Sequence, residues 1–220
     1  MRKDLTEVVF ILDKSGSMRG LEADTIGGFN SMLERQKKAE GEAYISTILF
    51  DSHQTVLHDR VPVGKVEPIT EKEYYVGSTT ALLDAMGDAI QHIATVHKYA
   101  REEDRPEKTI VIVTTDGYEN ASRRYTYEDI KARVTEMKQK YDWEFLFLGA
   151  NVDAFDVASR FGISKDYASG YVHDADGTAL NYEAMADAIS CVRERRPLSS
   201  AWKQKVEADH KKRGGNPFKR

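Results

Sequence analysis

Asp13-Lys14-Ser15-Gly16-Ser17 places a carboxylate and two hydroxyls at alternate positions, directly after the apolar run Val8 to Leu12. A second acidic turn, Thr114-Thr115-Asp116-Gly117, follows the apolar run Ile110 to Val113. A third stretch, Gly77-Ser78-Thr79-Thr80, precedes an amphipathic segment that begins at Leu82 and can bring in another hydroxyl. Together these pieces offer two carboxylates, two serine hydroxyls and one threonine hydroxyl, with no sulfur and no obvious imidazole. Oxygen-only donor sets suit Mg2+, Mn2+ or Ca2+ better than zinc or copper. The chemistry on offer is cation binding, provided the fold gathers three segments about a hundred residues apart.

The elements that must do so are legible. Val8 to Leu12, Ile110 to Val113 and Trp143 to Leu148 are continuous apolar runs, the pattern of strands buried on both faces of a parallel sheet. Ala43 to Phe50 is another strand candidate. Gln54 to His58 follows it after only three residues, and so short a connection makes an antiparallel hairpin. Helical faces are formed by Ile26, Phe29 and Leu33, by Leu82, Met86, Ile90 and Ile93, and by Ile130, Val134 and Met137. Thr126 to Asp129 has the form of a capping box, and Asp153 to Phe161 reads as a short helix stopped at Gly162. A last helix is expected over Asn181 to Val192. Strands alternating with helices imply a doubly wound, mostly parallel α/β sheet, whose ligands bind beyond the carboxyl ends of the strands where strand order reverses. If the Val8 and Ile110 strands flank that reversal, Asp13 and Asp116 face each other across it.

At these residues the chain resembles the von Willebrand factor type A family and its metal-ion-dependent adhesion site (MIDAS). The family pattern is Asp-x-Ser-x-Ser after the first strand, a Thr in a Gly-rich loop before a helix, and Asp-Gly after the fourth strand. Here it reads Asp13-x-Ser15-x-Ser17, Gly77 to Asp84, and Thr115-Asp116-Gly117, and the resemblance spans roughly residues 5–193. It implies a Rossmann-like, six-stranded sheet with one antiparallel edge strand and helices on both faces. It implies Asp13, Ser15, Ser17, Thr80 and Asp116 as the metal set. Family loops place the ligand Thr four residues before the Asp, which selects Thr80 over Thr79. It further implies a binding module rather than an enzyme: Mg2+ (or Mn2+ or Ca2+) keeps an open position, filled by an Asp or Glu of a partner protein.

Rival readings are weighed on the same residues. Asp13 as the nucleophile of a metal-assisted phosphohydrolase needs a second acid and a basic group. Lys14 is a candidate for the latter, but Ser15 stands where the acid belongs. Asp174-Ala175-Asp176-Gly177-Thr178 has the look of a phosphatase or calcium loop, yet it follows no buried strand, and Met185 stands where an EF-hand needs Glu; a surface turn is expected. The six histidines show no metal spacing. Gly27-Gly28 is read as allowing close helix packing, and Cys191 as an inert core residue.

Net charge is −4, unevenly spread: residues 193–220 hold ten basic and three acidic side chains, a net +7 against −11 for the remainder. An acidic body argues against a nucleic-acid surface and leaves the tail as a possible anion contact, a third functional reading. No apolar run approaches the roughly 20 residues that span a bilayer. One cysteine and no export pattern point to a reducing, cytoplasmic setting without membrane contact. The expected organisation is a domain over 1–196 and a basic, weakly ordered tail over 197–220, removable without loss of the fold.

Overall fold

A computed structural model describes residues 1–213. Six strands form one sheet: β1 (Arg2–Asp13), β2 (Glu42–Phe50), β3 (Gln54–Pro62), β4 (Pro106–Thr115), β5 (Glu144–Gly149) and β6 (Ala168–Gly170). Their spatial order is β3-β2-β1-β4-β5-β6. All pairings are parallel except β2 with β3. The chain runs outward from β1 to β3, then returns to lay β4 on the other side of β1. The order therefore reverses between β1 and β4, as the sequence implies.

The helices are α1 (Glu22–Lys38), α2 (Leu82–Tyr99), α3 (Tyr127–Tyr141), α4 (Ala154–Arg160), α5 (Ala175–Arg193) and α6 (Gln204–Arg213). Successive strand residues point to opposite faces, so each buried strand feeds two cores. Val8, Phe10 and Leu12 of β1, with Ile110 and Ile112 of β4, pack on Phe29 of α1 and on Met185 and Ile189 of α5. Val9 and Ile11, with Val111 and Val113, pack on Met86 and Ile90 of α2, Val134 of α3 and Val157 of α4. That double demand is why these strands read as unbroken apolar runs. Gly28 lets α1 approach α5: a Cβ there would lie 2.3 Å from the Tyr182 ring. The Thr126–Asp129 capping box forms in full, and Gly162 takes a positive φ after α4.

Three expectations are corrected. α5 starts at Ala175, six residues early, because Asp174 caps it by accepting from Gly177 N at 2.8 Å; the expected surface turn is this first helical turn. Cys191 is half-buried beside a surface groove rather than sealed in the core. The tail does not loosen after Pro197. Ser200–Lys203 forms a turn of 3-10 helix leading into α6, and Trp202 and Val206 are buried in the α1–α5 core. Two apolar residues four apart suffice to seat it, a signal too sparse to register among so many charges. Several of the basic side chains from 193 onward are paired: Arg195 with Glu107, Lys203 with Glu207, Lys205 with Glu183, and Arg213 with Asp174 and Asp209. The part of the expected tail at 214–220 lies outside the described residues. No helix among the described residues is long and apolar enough to cross a membrane.

Candidate metal site

Three loops meet above the β1–β4 reversal, and their backbones are knitted together. After β1, Lys14 N donates to Phe50 O at 2.8 Å and Gly16 N to Ser78 O at 2.8 Å, while Gly77 N returns a bond to Lys14 O at 2.6 Å. Gly77 has no room for a side chain: a Cβ would meet Asp51 Oδ2 at 1.7 Å. The loop after β4 ties in through Asn120, whose side-chain oxygen accepts from Thr80 N at 2.9 Å and whose own N donates to Thr80 O at 3.0 Å. Helix α2 has Ala81 at its N-cap with no side-chain cap. Its open amides are taken instead by the β4 loop: Leu83 N by Glu119 at 2.9 Å and Asp84 N by Ser122 at 3.0 Å. Thr79 and Thr80 are thus not the helix cap.

Within this frame Asp13 Oδ1 accepts from Ser15 N at 2.6 Å and Oδ2 from the Thr115 hydroxyl at 2.5 Å. Below, the Tyr74 hydroxyl donates to Asp13 O at 2.7 Å. Ser15 Oγ lies 3.1 Å from Ser17 Oγ, and Ser17 Oγ donates to Asp116 Oδ1 at 2.5 Å. A side chain starting at Gly117 would sit 3.5 Å from Ser17 Oγ and 3.7 Å from Thr80 Oγ1, so both hydroxyls border the same small space. The structure brings together Asp13, Ser15, Ser17, Thr80 and Asp116, all of the residues the sequence selects. Thr80 is buried and Thr79 exposed. Asp13, Ser15, Thr80 and Asp116 are shut from water, whereas Ser17 stands at the mouth.

Electrostatically the site is unbalanced. Burial pushes the Asp13 carboxyl up to about 6, with the charge of Asp116 adding to the rise and the Thr115 and Ser15 bonds opposing it. Burial also raises Asp116, against the Ser17 bond and His173. Lys14, the adjacent cation, is committed elsewhere, 3.5 Å from Asp51 and 4.2 Å from the Tyr75 ring centroid. Asp116 Oδ2 is buried without a hydrogen-bond partner. Two desolvated carboxylates and clustered hydroxyls fit a hard divalent cation, which would offset the desolvation that now disfavours their charged forms. Among the described residues no group of three or more His, Cys, Asp or Glu is placed to hold a metal.

The von Willebrand factor type A domain model matches residues 7–180. The chain belongs to this family. Among solved structures, the type A domain here is similar to proximal thread matrix protein 1 from the mussel byssus with a zinc-occupied MIDAS motif. That match has a TM-score of 0.56 and 14% identity, covering 86% of this chain and 47% of that one. It is also similar to a von Willebrand factor type A protein from Catenulispora acidiphila (TM-score 0.53, 13% identity, 85% and 42% covered). A third is the ArnB paralog VWA2 from Sulfolobus acidocaldarius (TM-score 0.50, 17% identity, 84% and 45% covered). The chain spans about half the length of these structures or less. No curated protein matches the sequence.

Sequence reasoning missed several residues that support the type A site. Thr115 enters the sequence pattern only as the neighbour of Asp116, yet its hydroxyl holds Asp13. Asn120 and Glu119 had no motif, because their role depends on a loop folding back onto α2. His173 has no metal spacing to another histidine, yet its Nδ1 stands 3.4 Å from Asp116 Oδ2. It follows β6, a strand of three residues that gives no periodic signal.

Proposed function

We propose that this domain is a divalent-cation-dependent protein-binding module. Ser15, Ser17 and Thr80 hold Mg2+ through their hydroxyls, with Asp13 and Asp116 acting directly or through water, and a carboxylate of a partner protein completes the site. The observation that carries the reading is the convergence of two buried carboxylates, both displaced upward, with the hydroxyls of Ser15, Ser17 and Thr80, of which Ser17 is exposed. When bound, the cation supplies positive charge at the mouth. Mostly neutral donors leave it electron-poor and attractive to an incoming Asp or Glu.

A hydrolase with Asp13 as nucleophile draws less support. Both of its carboxylate oxygens already accept hydrogen bonds, and Lys14 is tied to Asp51. The reading through a basic tail draws less support, because Arg195, Lys203, Lys205 and Arg213 are already paired with acids of the chain.

Mn2+ tests the site directly, since it broadens the NMR signals of nearby nuclei. Substoichiometric Mn2+ should selectively broaden the amides of Ser15, Ser17, Thr80 and Asp116, and excess Mg2+ should restore them. An Asp-containing peptide should bind only with the metal present, and a chelator should release it. Broadening spread over surface acids, with the Ser17 amide untouched, would refute the assignment.

A further inference from the structure

His173 stands in the turn between β6 and α5. Its Nδ1 approaches Asp116 Oδ2 at 3.4 Å, and neither atom has another partner among the described residues, although both are screened from solvent. The other oxygen of Asp116 is held by Ser17. Ser17 thus holds one oxygen of the buried carboxylate, and the imidazole nitrogen stands beside the other at charge-contact distance, short of a made hydrogen bond.

The turn that carries His173 is braced from outside. Asp174, the next residue, caps α5 and takes a forked pair from Arg213, Nη1 to Oδ2 at 2.6 Å and Nη2 to Oδ1 at 3.3 Å. Arg213 is itself aligned by Asp209 through two bonds of 2.6 Å. The His210 ring packs on Gly170, 3.0 Å from where a Cβ would stand. All three tail residues belong to α6, beyond the stretch that the family model matches.

We propose that His173 is a positioning residue of the metal site: its Nδ1 holds the outer oxygen of Asp116, and Arg213 of the last helix holds the turn that presents it. Groups that orient a ligating carboxylate set how much of its charge reaches the cation, and losing one typically costs about 10–100-fold in metal affinity. An imidazole used in this way leaves no trace in spacing to other histidines, since its partner is a carboxylate on another strand. The proposal rests on the cation-binding reading above.

The test is Mg2+ and Mn2+ affinity by calorimetry on the full chain, with metal-free melting curves alongside. His173→Ala should weaken both metals by about 10-fold or more. His173→Asn, whose side-chain NH2 can take the place of Nδ1, should stay within about threefold of wild type, a rescue that a merely space-filling role would not produce. Arg213→Gln should weaken metal binding in the wild-type background and add nothing to His173→Ala, since both act through one contact. Unchanged affinity in His173→Ala while the wild type binds metal would overturn the proposal and leave the cation reading standing. Equal losses in the Ala and Asn variants would also overturn it, as would a full additional loss on combining Arg213→Gln with His173→Ala. A wild type that binds neither metal would remove both readings together.

Discussion

The charge state of Asp13 bears on the stability of the metal-free domain. Its carboxyl is displaced from 3.8 to about 6, chiefly by burial. A folded value above the unfolded one means that the protonated form stabilises the fold. That contribution is complete below about pH 4 and is lost as pH rises through about 6. Asp13→Asn removes the dependence, so the stability of the variant relative to wild type should improve between pH 3.5 and pH 7. The swing should be on the order of 3 kcal/mol in chelator, and denaturant melts at both pH values measure it. A difference that stays flat with pH would show that the buried charge is compensated in another way. Saturating Mg2+ should shrink the swing, because the cation favours the ionised form. At the same scale, Thr80→Ala should weaken metal binding and Thr79→Ala should not, since only Thr80 turns its hydroxyl to the Ser17 side of Gly117. Calorimetric titration of the two variants decides it, and the reverse ranking would move the ligand to Thr79. The residues named by motif were readable in the sequence because their spacing is tied to strand ends. Thr115, Asn120 and His173 were not, because each works through a contact between segments that no local pattern encodes.

At the scale of elements, the strands buried on both faces and the amphipathic helices α2 and α3 were legible from periodicity alone. The start of α5 was not, because Asp174-Ala175-Asp176-Gly177 carries turn residues that here serve as a cap and a first helical turn. The last helix was missed for a different reason. Its ten residues carry strong charge and one fully buried side chain, Val206, and its anchor Trp202 lies just before it. Trp202 also donates through its indole to Asp166 O at 3.2 Å, and Lys203 donates to the Lys165 and Ala168 carbonyls at 2.6 and 2.8 Å. These contacts tie the tail to β6 and the turn before it. Trp202→Ala should therefore cost about 3–5 kcal/mol, the usual range for emptying a buried aromatic site. A drop in melting temperature of roughly 10 °C is expected for a domain near this size. Deleting residues 200–220 should cost at least as much. A truncated chain that melts with the full-length one would show that the tail is dispensable, as its composition first implied.

At the scale of the whole molecule, one arrangement links fold and function. The reversal of strand order opens a crevice between β1 and β4, and the chain fills it with acids and hydroxyls instead of apolar side chains. The buried carboxylates are costly to the metal-free protein, and under the proposed function a cation would relieve that cost and so link metal binding to stability. A ligand that binds only the native state stabilises it by about 2.7 kcal/mol at a hundredfold excess over its dissociation constant. At roughly 2–4 °C per kcal/mol, the thermal shift is readily measured. The most direct test of the central claim is therefore the melting temperature of the full chain across a Mg2+ titration, repeated with Mn2+ and in chelator. A saturable rise of about 5–10 °C is expected, absent in chelator and diminished in Ser15→Ala, Ser17→Ala and Asp116→Ala. A melting curve that neither cation moves at saturating concentration would contradict it.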